Sequence, residues 1–131
     1  MTRARELRFA FVFDDHEAAL HLFRDVFGLE TQEEFEHGGG RGVILRIPSS
    51  TLELFNPEYG RRVDDIEVGR EVDSRVRIAV KIDDLAAAGA AVAGTGATAE
   101  ADPVMTPWGD NNQRFKTGDG LQLTLFQSAG V

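Results

Sequence analysis

In residues 7–13, LRFAFVF, apolar Leu7, Phe9, Phe11 and Phe13 alternate with Arg8, Ala10 and Val12, the two-residue period of a strand. The period then lengthens. Ala19, Leu22, Phe23, Val26 and Phe27 recur at helical spacing, behind an Asp14–Glu17 capping pattern and ahead of Gly28, a helix-ending glycine. Three more strands are expected near 30–36, 42–47 and 51–56, separated by the glycine-rich HGGG turn at 37–40 and a turn at 48–50. After residue 73 the order repeats. A strand at 75–82 leads into an alanine-rich helix near 84–93, ended by Gly94 and Gly96, and strands follow near 98–105, 113–117 and 121–127. Residues 57–73, dense in charge and turn residues, read as an ordered connection over the surface.

The repetition reaches individual residues. RFAFVFDDHEAA at 8–19 and RIAVKIDDLAAA at 77–88 share six of twelve positions at an offset of 69, and LELF at 52–55 returns as LTLF at 123–126. Two modules, about 5–56 and about 74–127, are therefore expected to face one another as similar half-sheets. With 131 residues and 42% hydrophobic composition, the chain suits one domain (1–131) in which the halves share a core.

A net charge of −8 opposes non-specific nucleic-acid binding and attraction to an anionic membrane, and no apolar run is long enough to span a bilayer. The absence of cysteine excludes a thiol nucleophile and thiolate metal ligands, and fits a cytoplasmic protein. No phosphate-binding loop, dinucleotide fingerprint or serine-nucleophile elbow appears. The acids among Asp64, Asp65, Glu67, Glu71 and Asp73 alternate with arginines and lack the spacing of a calcium loop, so they read as a solvated connection.

The segments DDHEAALHLFRDVFGLE (14–30), VRIAVKIDDLAAAGA (76–90) and PWGDNNQRFKTGDGLQLTLFQ (107–127), in this order and duplicated, resemble the vicinal oxygen chelate superfamily. That group includes glyoxalase I, bleomycin-resistance proteins and extradiol dioxygenases. The resemblance covers about residues 5–127 and implies an α+β fold. Two tandem β-α-β-β-β modules would form a cup-shaped mixed sheet with helices on its convex side. It also implies metal ligands on the first and last strands of each module, which here fall on Arg8, Glu53, Arg77 and Thr124. Only Glu53 is a good ligand. Arginine has no lone pair to give and repels a cation, so no metal and no cofactor are expected. His16, His21 and His37 read as solvated surface residues.

By strand alternation, Arg8, Ala10, Val12, Arg77, Ala79 and Lys81 face the cup with Glu53, Phe55, Gln122, Thr124 and Phe126, while Leu123 and Leu125 turn to the helices. The Arg8–Glu53–Arg77 floor reads either as an ion-pair network filling a vacated metal position or as a binding surface whose excess cation grips an oxyanion. Phe55 and Phe126 would wall the ligand, and Trp108, in the PWG turn, would stack over it or serve as a hydrophobic plug or dimer contact. The expected function is that of a metal-independent small-molecule-binding protein resembling the bleomycin-resistance branch, its ligand anionic or conjugated, assembled as a homodimer. The alternative is a lyase, isomerase or dioxygenase-type enzyme of that superfamily using Glu53 as general base.

Overall fold

A computed structural model describes residues 6, 8–51 and 53–128. Leu7 and Leu52, which enter the alternation argument, and the expected start of module one at residue 5 lie outside the described residues. The elements are α1 (His16–Leu20), continued by a π-helical stretch (His21–Val26), β1 (Glu30–His37), β2 (Gly40–Arg46), α2 (Pro57–Val68), β3 (Arg77–Lys81), α3 (Leu85–Ala93), β4 (Thr98–Ala99), β5 (Val104–Met105), β6 (Asp110–Lys116) and β7 (Gln122–Ser128).

The second half forms a five-stranded mixed sheet in the order β3-β7-β6-β4, with β5 also paired to β6. β3 and β7 are parallel, and the crossover they need is supplied by α3 and the strands after it. Asp84 caps α3, its carboxylate accepting from Ala87 N at 3.1 Å. Gly89 lets α3 approach the sheet, because a Cβ there would stand 3.4 Å from the Phe115 ring. Leu85 and Val92 of α3 meet Phe115, Leu123 and Leu125, and Leu22 joins them from the first module's helix. Residues of both halves thus meet in one apolar cluster. Leu123 and Leu125 face the helices, in agreement with the alternation.

The first half departs from its repeat. Residues 8–13 form no strand, and the described part of 51–56 has no regular structure. Of the three phenylalanines expected under the helix, Phe13 is half-buried against it, whereas Phe9 and Phe11 are exposed. Phe11, Phe13, Phe23 and Phe27 form a chain of rings with centroids 6.4, 6.0 and 5.8 Å apart, which leads from the N-terminal segment to the helix. Val12 is 97% exposed, on the opposite side. Among the described residues β1 and β2 pair only with each other, and every residue of β1 is exposed. Alternation supplies a preference for extended backbone, whereas a strand exists only where a neighbour completes its ladder.

Two local expectations are corrected. The first helix is capped by Asp15, accepting from Ala18 N at 3.0 Å, because Asp14 is held through its own N–H by Asp119. The connection at 57–73 contains a twelve-residue helix, α2, which lies on the sheet face opposite α1 and α3. Helices therefore occupy both faces of this sheet, not one.

Candidate functional site

α2 is built by local signals at both ends. Asn56 accepts from Tyr59 N at 3.0 Å, and Pro57 supplies a helical φ where no N–H is needed. At the other end Gly69 has φ 80, a left-handed conformation, and its N–H reaches the carbonyls of Asp64 and Asp65. The buried residues of α2 are Gly60, Val63, Asp64 and Glu67, the i, i+3, i+4, i+7 spacing of one helical stripe. Two of the four are acids.

The stripe lies against the inner sheet face. Register sets Arg77, Ala79 and Lys81 of β3 beside Gln122, Thr124 and Phe126 of β7, and these beside Lys116, Arg114 and Asn112 of β6. Arg114, 1% exposed, stands at the centre. Its Nη1 donates to Asp64 Oδ1 at 3.1 Å and to Gln122 Oε1 at 2.9 Å. Its Nε donates to Glu67 Oε1 at 3.1 Å and to Thr124 Oγ1 at 3.2 Å. Thr124 in turn donates to Glu67 Oε1 at 2.6 Å, and Asn112 Nδ2 reaches Glu67 Oε2 at 3.3 Å. Arg77 Nη2 donates to Asp64 Oδ2 at 3.0 Å and its Nη1 to the Gly60 carbonyl at 3.1 Å. Val72 N adds a third bond to Asp64. Two cations and two anions balance, which is what permits Asp64 and Glu67 to be only 1% and 4% exposed.

The expected residues are therefore only partly brought together. Arg77 and Thr124 share this face, and Phe126 lies on it, half-buried. Arg8 is exposed and its guanidinium is bound to Glu6 at 2.9 Å. Glu53 is exposed and makes no ion pair among the described residues. The Arg8–Glu53–Arg77 floor is not formed, because the strands that would carry Arg8 and Glu53 are not part of a sheet and Asp64 has taken the guanidinium of Arg77. The general-base role assigned to Glu53 loses its two cations in the same way. Phe55 stacks edge-on against Tyr59 at 5.0 Å, at the start of α2, and is not paired with Phe126. Trp108 is exposed, in a turn closed by Gly109 N to Thr106 O at 3.1 Å.

Sequence reasoning misses Asp64, Glu67, Arg114 and Asn112. The acids read as a solvated run, since charge normally marks the outer face of a helix. The usable signal is the Asn-Pro start and glycine end of residues 56–69, with 60, 63, 64 and 67 on one stripe.

A divalent metal does not fit this face. The two carboxylates here already accept from two guanidinium groups, and among the described residues no three His, Cys, Asp or Glu side chains are grouped to hold an ion.

Comparison with known proteins gives a match of residues 7–125 to the family described as Glyoxalase/Bleomycin resistance protein/Dioxygenase superfamily. A search of curated proteins gave no match. Among solved structures, SA1046 from S. aureus is similar at 14% identity and TM-score 0.63, covering 96% of this chain and 95% of that one. A lactoylglutathione lyase from Agrobacterium tumefaciens is similar at 21% identity and TM-score 0.55, with 96% and 95% covered. TnmS3, an antibiotic binding protein from Streptomyces, is similar at 19% identity and TM-score 0.54, with 95% and 100% covered. At these identities the likeness is one of fold.

Proposed function

The chain belongs to the glyoxalase/bleomycin resistance protein/dioxygenase superfamily, and from that premise we propose that it is a metal-independent binding protein for a small organic molecule. The observation that carries this reading is the pair of arginines on the sheet face beneath α2, neutralised there by Asp64 and Glu67. Arg77 and Arg114 stand beside Thr124, Gln122 and Asn112, on a sheet whose other face supplies the apolar core. Buried ion pairs add little net stability, so a purely structural role gives a weak reason for arginine at both places. Planar guanidinium groups suit an oxyanion held in two-pronged fashion. In this reading Arg77, Arg114 and Thr124 take the oxygen atoms, Phe126 takes the flat body of a conjugated molecule, and Trp108 borders the approach. TnmS3, which has the same fold, is described as binding an antibiotic, and this supports the reading without naming the ligand.

Removing one guanidinium tests it. Arg77→Met should weaken an anionic ligand, found by thermal-shift screening of organic molecules, by about 1.5–3 kcal/mol, the range for hydrogen bonds to charged groups. Neutral analogues should bind as before. Calorimetry giving unchanged affinities for both would assign the arginines to structure and overturn the proposal.

A further inference from the structure

Asp64 and Glu67 hold, from within the chain, the places that an anionic ligand of this face would take. Four features bear on what α2 is. First, its carboxylates contact one guanidinium at two different nitrogens, Nη1 for Asp64 and Nε for Glu67, with Arg77 adding a second grip on Asp64. That is how two carboxylates one helical turn apart would be read by a binding site. Second, the helix is satisfied on its own. Asn56 caps its start and the Gly69 N–H caps its end, so its terminal groups do not depend on the sheet for partners. Third, both flanks, the described residues of 47–56 and residues 69–76, have no regular structure, so no strand ladder continues from either end of α2, and the link from its C-terminal flank to the second module is the exposed Arg70–Glu100 pair. Fourth, only one of its four buried residues, Val63, is a large apolar side chain. The docking is thus mainly ionic, and desolvation offsets much of that attraction. An element with little apolar burial opens before the core does.

We infer that α2 is a displaceable internal ligand: Asp64 and Glu67 occupy the Arg77–Arg114 site, and the helix lifts to admit a molecule carrying two carboxylates. This rests on the proposed use of the inner face and adds the ligand's charge pattern and an autoinhibitory step. Entry begins at Arg77, whose side chain is 19% exposed, whereas Arg114 is sealed until Asp64 leaves. The competition is of like for like. A dicarboxylate replaces two carboxylates on the same donors, so the exchange leaves no buried cation unpaired.

The chain has no cysteine, so a thiol placed under α2 reports opening without background. In Val63→Cys, labelling by an aromatic disulfide reagent is measured against Val92→Cys, whose position in α3 is fully buried in the core and reports global unfolding. The expected result is labelling at position 63 at least tenfold faster than at position 92. Glutarate should accelerate the labelling of Val63→Cys further and saturably, by threefold or more, while neutral glutaramide should not. Adding Arg77→Met should remove the glutarate response. Hydrogen exchange of residues 57–68 in the unaltered protein guards against a docking defect caused by the introduced thiol, and should be faster than that of α3. Equal labelling of the two variants together with equal exchange of α2 and α3, or no effect of glutarate on Val63→Cys, overturns the inference. If calorimetry then still finds an Arg77-dependent anion, the inner-face reading survives and only the latch fails. If no anion binds either the native chain or Asp64→Asn/Glu67→Gln, the binding reading itself fails.

Discussion

At the scale of single residues, Arg114 is the position on which most depends. It contacts Asp64, Glu67, Gln122 and Thr124, and only 1% of it reaches solvent. Arg114→Met leaves two buried carboxylates short of their main partner and should cost about 3–5 kcal/mol in urea unfolding, the range for breaking a buried pair from one side. Replacing the whole set (Arg77→Met, Arg114→Met, Asp64→Leu, Glu67→Leu) should return most of that loss, because four desolvation costs vanish with the four charges. A multiple variant less stable than Arg114→Met would mean that the network, not its desolvation, dominates. Glu53 gives the contrasting case. It is exposed and makes no ion pair among the described residues, so Glu53→Gln should alter stability by no more than about 0.5 kcal/mol in the same measurement. Arg77 and Thr124 were legible as sharing the sheet face opposite Leu123 and Leu125, because a period of two fixes side-chain direction once a strand exists. Their partners were not legible, since they come from a helix whose docking no local pattern states.

At the scale of elements, α2 and the β1–β2 hairpin show two ways in which a segment is held. Gly69 ends α2 at φ 80, where a side chain is strained. Gly69→Ala should therefore lower stability by about 1–2 kcal/mol, read from the shift of the thermal midpoint. The hairpin is tied to α1 by Arg41 and Glu17, an exposed pair. The guanidinium, through its hydrogen bond and its charge, holds the Glu17 carboxyl below its usual value and raises Arg41 in turn. With the folded carboxyl lowered, the tie is present above the ordinary glutamate range and is lost as pH falls through the lowered value. Amide exchange in β1 and β2 should accordingly quicken, relative to the core strands, below the ordinary glutamate range. Arg41→Gln should abolish that pH response. The second module's elements follow their sequence pattern except that the strand expected at 98–105 is broken into the two-residue strands β4 and β5, whereas the first module keeps its helix and hairpin but, among the described residues, not its outer strands.

For the whole molecule, the uneven halves suggest what is missing from a single chain. Phe9, Phe35, Ile47 and Leu54 are exposed, Leu54 to 86%, and β1 and β2 have no other strand beside them among the described residues. A two-stranded ribbon is marginal in water, and unpaired sheet edges invite another copy. We propose a homodimer in which the first module's strands find their neighbours. Sedimentation equilibrium should give about twice the 14.3 kDa chain mass at micromolar concentration, and Leu54→Lys should shift the equilibrium toward the single chain. A 14.3 kDa species alone at that concentration would count against the dimer. No helix among the described residues is long and apolar enough to cross a membrane.

The periods of two and 3.6, the capping residues and the internal repeat were enough to place α3, β1, β2, β3, β6 and β7 and to orient Leu123 and Leu125, and the resemblance of segments 14–30, 76–90 and 107–127 pointed to the family. These are local properties, written in residues a few positions apart. Tertiary structure decided the rest. Whether Arg8–Phe13 became a strand depended on a neighbour to pair with, and whether Asp64 and Glu67 met water or arginine depended on which surface α2 lay upon. Pairing and burial join residues 50 or 57 positions apart, such as Asp64 with Arg114 and Glu67 with Thr124, and no local pattern carries that distance. A charged side chain looks the same in sequence whether it is solvated or neutralised in the interior, and only its partners make the difference.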